Sequence, residues 1–120
     1  MSRADIWTPE QVQAHLDKLA GKKPKISALS EREFQAEVMD IANKLGWRFY
    51  HTHDSIGSQA GFPDLVMVRG DRLIFAELKT ESGKVSEQQG KWIEDLLTTC
   101  AETYIWRPSA MDKIIKVLKH

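Results

Sequence analysis

Four stretches of the chain carry apolar residues three or four positions apart, the spacing that places them on one face of an α-helix. Their apolar positions are Val12, Leu16 and Leu19; Phe34, Val38, Ile41 and Leu45; Trp92, Ile93, Leu96 and Leu97; and Met111, Ile114, Ile115 and Leu118. The first three stretches follow Thr8, Ser30 and Ser86, each with Gln or Glu three residues later, as in a helix capping box. The pattern predicts four helices.

Shorter apolar runs between these stretches predict four strands. They span residues 47–52, 64–69, 72–79 and 102–106. Gly70-Asp71 separates the second run from the third, which is typical of a two-residue β-hairpin turn. The third run is mostly apolar, so we expect it to be buried on both faces. The order αβββαβα predicts an α/β domain with a mixed four-stranded sheet, in which the third and fourth strands are parallel.

The predicted hairpin brings charged residues together. If Gly70 and Asp71 form the turn, Arg69 pairs with Arg72, and stepping outward on both strands places Asp64 opposite Glu77. The two Cβ atoms are then about 5 Å apart, and facing like charges are destabilising unless a cation lies between them. Ligands that are all oxygen favour Mg²⁺ or Mn²⁺.

Lys79 adds a positive charge on the same strand face as Glu77, two residues away. A bound metal lowers the pKa of its water, and a lysine beside it can orient that water or stabilise charge on a phosphate. The spacing of these residues is also compatible with purely structural roles that involve no chemistry. Glu77 and Lys79 can form a local ion pair, Asp64 can cap a turn after Pro63, and a β-bulge would shift the register.

Composition and charge limit the class of protein. Seventeen basic and seventeen acidic residues give a formal net charge of zero, so contact with nucleic acid has to come from local patches or bound metal. The one cysteine, Cys100, excludes an internal disulfide, and we expect a soluble cytoplasmic protein with no membrane segment. Residues 1–29 are predicted to be a helical extension with a basic linker, and residues 30–120 to be the main domain.

Several motifs of the main domain occur together in a known nuclease superfamily. Gly61-Phe62-Pro63-Asp64, followed by Glu77-Leu78-Lys79, resembles the PD-(D/E)XK signature. More closely, the chain resembles the VRR-NUC branch in its short stand-alone form, which is common in phages. The supporting segments are Glu31-Arg32-Glu33-Phe34-Gln35 in the first helix of the domain, Trp47 to Ser55 before the Pro-Asp pair, and Ser86 to Trp92 around Gln89.

The resemblance implies a restriction-endonuclease-like fold and a role for each matched residue. Asp64 and Glu77, with the backbone carbonyl of Leu78, would ligate the metal, and Lys79 would position the attacking water. The family also places a first-helix glutamate and a glutamine at the site. Glu31, Glu33 and Glu37 are the candidates for the glutamate. Glu31 is favoured because it lies on the stripe of Val38, whereas Glu33 points away and can close a capping box with Ser30.

Other polar residues have weaker assignments. Gln89 can serve the site or close the capping box of Ser86. His51 and His53, with Asp54, suggest a zinc site, but they lack a clear third ligand, so substrate contact or packing is favoured. The candidate DNA contacts are Arg48, His51, Ser55, Ser58 and Lys84.

Two classes of function compete. The leading hypothesis is hydrolysis of DNA by metal-activated water, and the resemblance implies a branched substrate such as a Holliday junction, cut by a homodimer. The alternative is a DNA-binding or assembly module that keeps the nuclease fold without turnover. A restriction-type endonuclease shares the chemistry, but 120 residues leave little room for a domain that reads sequence.

Overall fold

The computed structural model describes residue 8 and residues 10–14, 28–53 and 59–120. Residues 10–14 are helical (α1), and a 3₁₀ turn spans Pro108–Ala110. The other helices are α2 (Glu31–Lys44), α3 (Glu87–Leu97) and α4 (Met111–Lys119). The strands are β1 (Arg48–His51), β2 (Leu65–Arg69), β3 (Arg72–Leu78) and β4 (Glu102–Trp106). This order confirms the predicted αβββαβα fold.

The helix starts follow the predicted capping chemistry. Ser30 Oγ accepts a hydrogen bond from the Glu33 N–H at 3.1 Å, and Glu33 Oε1 accepts one from the Ser30 N–H at 3.0 Å. Thr8 with Gln11 forms the same reciprocal pair before α1, and Ser86 with Gln89 forms it before α3. Each box satisfies backbone donors that a helix N-terminus leaves without partners. Leu16 and Leu19 of the first predicted stripe lie outside the described residues.

The sheet has the strand order β1-β2-β3-β4. β1 is antiparallel to β2, and the antiparallel β2–β3 hairpin and the parallel β3–β4 pair are as predicted. The hairpin pairs run from Arg69–Arg72 outward to Leu65–Ala76, which confirms the predicted register. The ladder stops one residue earlier than expected at this end. Asp64 therefore lies just before β2 and Lys79 just after β3, at the open end of the hairpin.

The core lies on one face of the sheet. Leu65, Met67, Ile74 and Leu78 from β2 and β3 are fully buried there with apolar residues of α2 and α4. Val12 of α1 is fully buried in the same cluster, so residues 10–14 pack against the main domain.

The other face of the sheet is only partly covered. Phe62 packs edge-on against Phe75 and Trp92, so α3 and the 59–63 segment shield the β3 end that carries the site. Beyond them Val68 is 45% exposed and Leu73 is 38% exposed. The expectation that the third strand is buried on both faces is therefore wrong at Leu73, because α3 does not extend over the turn end of the hairpin.

A cluster of cationic and aromatic side chains fixes the turn end of the hairpin. The guanidinium groups of Arg69 and Arg72 lie 4.7 and 5.0 Å from the centre of the Trp47 ring. Arg69 also donates to the carbonyls of Leu45 and Leu118 at the ends of α2 and α4. Positive charge at helix C-termini and over an indole face is stabilising. The hairpin is thus anchored at one end, and the charged residues lie at the other. No helix in the described ranges has the length and apolarity of a membrane span.

Candidate active site

Three carboxylates from separate elements meet at the open end of the hairpin. Glu31 is the first residue of α2, Asp64 precedes β2, and Glu77 is near the end of β3. One oxygen from each lies within 4.8 Å of the others. Glu31 is exposed and Asp64 is half-buried, whereas Glu77 is only 1% exposed. The group therefore has a solvent-facing side and a buried side, as a site that admits a ligand requires.

Glu77 is the buried member, and its two oxygens differ. Oε2 accepts a hydrogen bond from Gln89 Nε2 at 2.8 Å and lies 3.8 Å from Lys79 Nζ. Oε1 is buried and has no hydrogen-bond partner among the described residues. Burial and the neighbouring Asp64 carboxylate raise the pKa of Glu77 to about 8, against a smaller opposing effect of Lys79. A buried carboxylate oxygen without a partner is costly. The all-oxygen donor set around it suits a hard divalent cation.

Asp64 is held by backbone contacts on both sides. Its Oδ2 accepts a hydrogen bond from the Leu78 N–H at 2.8 Å, and its carbonyl accepts one from the Thr52 N–H at 2.8 Å. The Thr52 hydroxyl also donates to the Pro63 carbonyl at 2.7 Å. The carboxylate is therefore fixed between the ends of β1 and β3 by a hydrogen bond from the backbone N–H of Leu78, the residue whose carbonyl is a predicted ligand.

Gly61 allows the segment before Asp64 to approach α3. Its φ is +95°, a region that residues with a side chain rarely adopt. A Cβ at this position would lie 2.5 Å from the Gln88 carbonyl carbon and 2.7 Å from the Gln89 backbone nitrogen. The Gly-Phe-Pro-Asp segment is thereby packed onto the first turn of α3, next to the residue that binds Glu77.

Lys79 follows the last residue of β3 and is still held by the sheet. Its N–H donates to the Trp106 carbonyl at 2.9 Å, and its side chain is 13% exposed. The loop beyond it is fixed by Arg107, whose Nη1 donates to the carbonyls of Thr80 at 2.6 Å and Gly83 at 2.7 Å. A third, longer contact of 3.2 Å joins Nη1 to the Glu81 carbonyl. The ammonium thus lies 3.8 Å from the Glu77 carboxylate on a restrained backbone.

The structure separates the candidate glutamates of α2. Glu33 accepts from the Ser30 N–H, and its bonds to the backbone and side chain of Ser30 lower its pKa. Glu31 instead lies with Asp64 and Glu77. The capping role and the place in the carboxylate group thus belong to different glutamates. Gln89 combines both of its expected contacts, because Oε1 accepts from the Ser86 N–H while Nε2 donates to Glu77.

The other predicted contacts are spread out. His51 lines a cavity beside Glu31 and Asp64. Arg48 is exposed at the opposite end of β1, and Lys84 is exposed in the loop between β3 and α3. Asp54, Ser55 and Ser58 lie outside the described residues. The rings of His51 and His53 are 4.8 Å apart, but no third acidic, histidine or cysteine ligand joins them within the described ranges.

The sequence patterns predicted no individual role for four residues near the site, although the first three lie in the motif segments: Arg32, Gln35, Thr52 and Arg107. Gln35 is four residues after Glu31, so helical spacing alone places both on one side of α2. Arg107 carries no such signal, because its contacts are to a loop more than twenty residues earlier in the chain. Its role depends on the parallel pairing of β4 with β3.

Comparison with known proteins supports the predicted family. The sequence matches the family model of the VRR-NUC domain over residues 5–105. A solved structure described as a VRR_NUC domain protein is similar, with a TM-score of 0.61 and 23% sequence identity over 76% of this chain and 86% of that chain. No curated protein matches the sequence. The structural likeness shows a shared fold of the restriction-endonuclease-like type, and the family model covers most of the chain. The chain therefore belongs to the VRR-NUC family of nucleases.

Proposed function

We propose that the chain is a DNA endonuclease that uses Mg²⁺ or Mn²⁺ to hydrolyse phosphodiester bonds. The observation that supports this most directly is the environment of Glu77, a buried carboxylate whose Oε1 has no hydrogen-bond partner in the described part of the chain. Oxygens of Glu31 and Asp64 lie within 4.8 Å of an oxygen of Glu77. Carboxylates this close repel each other, and a divalent cation with oxygen ligands balances their charge.

Each residue has a distinct task in this mechanism. A divalent cation would supply Lewis acidity and lower the pKa of a bound water. Asp64 and Glu77 would hold the ion together with the Leu78 carbonyl oxygen, and Glu31 would complete the exposed side. Gln89 restrains Glu77 through the bond to Oε2. Lys79, 3.8 Å from the same oxygen, orients the attacking water and offsets negative charge that develops on the phosphate.

We further propose branched DNA, such as a Holliday junction, as the substrate. The formal net charge of zero gives little long-range attraction to a duplex, so recognition has to depend on local contacts and DNA shape. Resolution of a junction needs two incisions, and a symmetric homodimer provides two equivalent sites. Light scattering of the junction complex tests this: two chains per junction support the homodimer, and one chain contradicts it.

The activity test uses purified protein with end-labelled junction, flap, duplex and single-stranded DNA. Each substrate is incubated with Mg²⁺, with Mn²⁺ and with EDTA. We expect metal-dependent cutting that Lys79→Ala lowers by about 10²- to 10³-fold, because the charge beside the phosphate is lost. Lys113→Ala, which removes an exposed lysine on α4, is the matched control and should cut normally.

Two outcomes contradict the proposal. One is the absence of cutting on every substrate with either metal, and the other is a Lys79→Ala variant that cuts as well as the wild type. Binding of junction DNA that is unaffected by EDTA, with no cutting, would instead identify a binding module on the nuclease fold.

A further inference from the structure

A cavity of about 410 Å³ opens beside the carboxylate group, a volume within the usual range of ligand pockets. Two of the three carboxylates, those of Glu31 and Asp64, line one part of it. The remaining lining residues all carry hydrogen-bond donors: Arg32, Gln35, His51, Thr52 and His53. We call the group of Arg32, Gln35, His51 and His53 the donor pocket. Its chemistry is opposite to that of the carboxylates next to it.

The donor pocket is built on two elements whose side chains fix each other. Nε2 of Gln35 on α2 lies 2.9 Å from Nε2 of His51 on β1. An amide nitrogen can only donate, so the His51 nitrogen accepts, and a neutral imidazole then carries its hydrogen on Nδ1. The ring of His53 lies 4.8 Å from that of His51, tilted by 52°. The contact between α2 and β1 therefore leaves an imidazole N–H as a further donor.

The same segment connects the donor pocket to the carboxylate group. Thr52, between the two histidines, donates its N–H to the Asp64 carbonyl and its hydroxyl to the Pro63 carbonyl. Arg32 follows Glu31 directly on the first turn of α2. A ligand that spans both walls would thus meet acidic oxygens at one end and donors at the other, with the spacing fixed by short backbone contacts.

Arg32 carries the positive charge of the donor pocket. Its side chain is exposed, and it makes no ion pair or hydrogen bond with a side chain or backbone group of another described residue. Guanidinium groups bind phosphate oxygens with two parallel hydrogen bonds. The guanidinium lies beside two imidazoles and an amide, and the acidic residues are next to this group. Such an arrangement suits a nucleic-acid backbone. A metal at the carboxylates neutralises one phosphate, and the donors bind the next phosphate.

We propose that the donor pocket binds the DNA backbone phosphate next to the one held at the carboxylate group. The statement that the phosphate at the carboxylate group is the scissile one rests on the proposed function. The binding of a DNA phosphate in the donor pocket does not. The pocket thereby sets the path of the DNA strand across the ends of α2 and β1.

The first experiment measures DNA binding without turnover. Fluorescence anisotropy of a labelled four-way junction is recorded with Ca²⁺ in place of Mg²⁺ at several salt concentrations. We expect Arg32→Ala and His53→Ala each to raise Kd by about tenfold, since each removes a bond to a charged phosphate. Arg32→Ala should also lower the salt dependence by about one unit of slope. Lys113→Ala is the control for the loss of one exposed charge, and it should match the wild type in Kd and in salt dependence.

The second experiment locates the phosphate. A series of junctions each carries one uncharged methylphosphonate at a different position on one strand. At one position the methylphosphonate should lower the affinity of the wild type about tenfold but leave the affinity of Arg32→Ala unchanged. The variant already lacks the contact between the Arg32 guanidinium and that phosphate, so removing the phosphate charge has no further effect. The proposal is overturned if both variants bind like the wild type, or if no position shows this coupling. If the coupling is seen and no DNA is ever cut, the donor pocket stands and the proposed nuclease activity fails.

Discussion

Gln89 Nε2 donates to Glu77 Oε2 at 2.8 Å, while Oε1 of the same amide accepts from the Ser86 N–H at 2.9 Å. One side chain therefore closes the capping box of α3 and restrains the buried carboxylate of β3. The start of the helix and the geometry of the site are linked through this amide. The capping role and the role at Glu77 can be separated by comparing two substitutions. Both weaken the cap, but only one also removes the hydrogen bond to Glu77.

The first prediction compares Gln89→Met with Ser86→Ala. Each removes one half of the capping box, so we expect each to lower the free energy of unfolding by about 1 kcal/mol in chemical denaturation. Only Gln89→Met also removes the donor to Glu77. Metal-dependent DNA cutting should fall by about tenfold in Gln89→Met and remain near the wild-type rate in Ser86→Ala. Equal activity of the two variants would show that the bond to Glu77 has no role in the reaction.

The second prediction concerns the close approach of Gly61 to α3. Gly61→Ala places a Cβ 2.5 Å from the Gln88 carbonyl carbon at a φ of +95°, so the segment before Asp64 has to move. We expect a loss of about 1–3 kcal/mol in the free energy of unfolding together with reduced DNA cutting.

Gly90→Ala is the matched control, because Gly90 lies inside α3 and an added Cβ there meets no atom within 4 Å beyond the helix's own backbone. It should stabilise the protein by about 0.5–1 kcal/mol and leave cutting unchanged. A Gly61→Ala variant as stable and as active as Gly90→Ala would contradict the packing described for this segment.

Much of the site follows from local rules of sequence. The two-residue turn at Gly70-Asp71 fixes the hairpin register, and the observed pairs reach Leu65–Ala76, one step from Asp64 and Glu77. Helical spacing separates Glu31 from Glu33, and the observed capping box uses Glu33. These relationships depend on residues within one helix or one hairpin, where geometry is nearly independent of the rest of the fold.

The remainder depends on how separate elements pack. The Gln35–His51 contact requires the placement of α2 against β1, and the contacts of Arg107 require the parallel pairing of β4 with β3. The exposure of Leu73 reflects the extent of α3, which no pattern within β3 encodes. Periodicity identifies the faces of each element but not which parts of a face a neighbour covers.

The third prediction concerns Arg107. Its Nη1 donates to the carbonyls of Thr80 and Gly83 at 2.6 and 2.7 Å in the loop after Lys79. Arg107→Ala leaves those carbonyls without the guanidinium, so the loop should exchange its amide hydrogens faster and Lys79 should be less well positioned. We expect kcat for DNA cutting to fall by about tenfold with little change in KM.

Arg69→Ala controls for the loss of a guanidinium that binds backbone carbonyls, because its partners Leu45 and Leu118 lie at the other end of the hairpin. It should lower stability without a selective change in kcat. If Arg107→Ala and Arg69→Ala reduce kcat equally at matched fractions of folded protein, Arg107 has no positioning role.

The fourth prediction concerns proton linkage at Glu77. Its pKa is raised from 4.5 to about 8 in the metal-free fold, so the folded state binds more protons than the unfolded state between these values. The stability of the metal-free protein should therefore fall as pH rises from about 4.5 to about 8, relative to Glu77→Gln. Binding of a cation requires the ionised carboxylate, so it should release about one proton at pH 7.

Calorimetry of Mn²⁺ binding in buffers of different ionisation enthalpy measures this proton release. The released fraction should decline towards zero above about pH 9, where Glu77 is already ionised. Binding enthalpies that are the same in all buffers at pH 7 would contradict the raised pKa of Glu77.

The most direct test of the carboxylate group is a Mn²⁺ titration followed by electron paramagnetic resonance. The variants are Glu31→Gln, Asp64→Asn, Glu77→Gln and, as the matched control, Glu33→Gln. We predict a Mn²⁺ site in the wild type that Glu33→Gln retains, that Glu31→Gln weakens by about 10- to 100-fold, and that Asp64→Asn and Glu77→Gln abolish. A wild-type protein that binds no Mn²⁺, or a Glu77→Gln variant that binds it as tightly as the wild type, would contradict the assignment of a metal-dependent nuclease site.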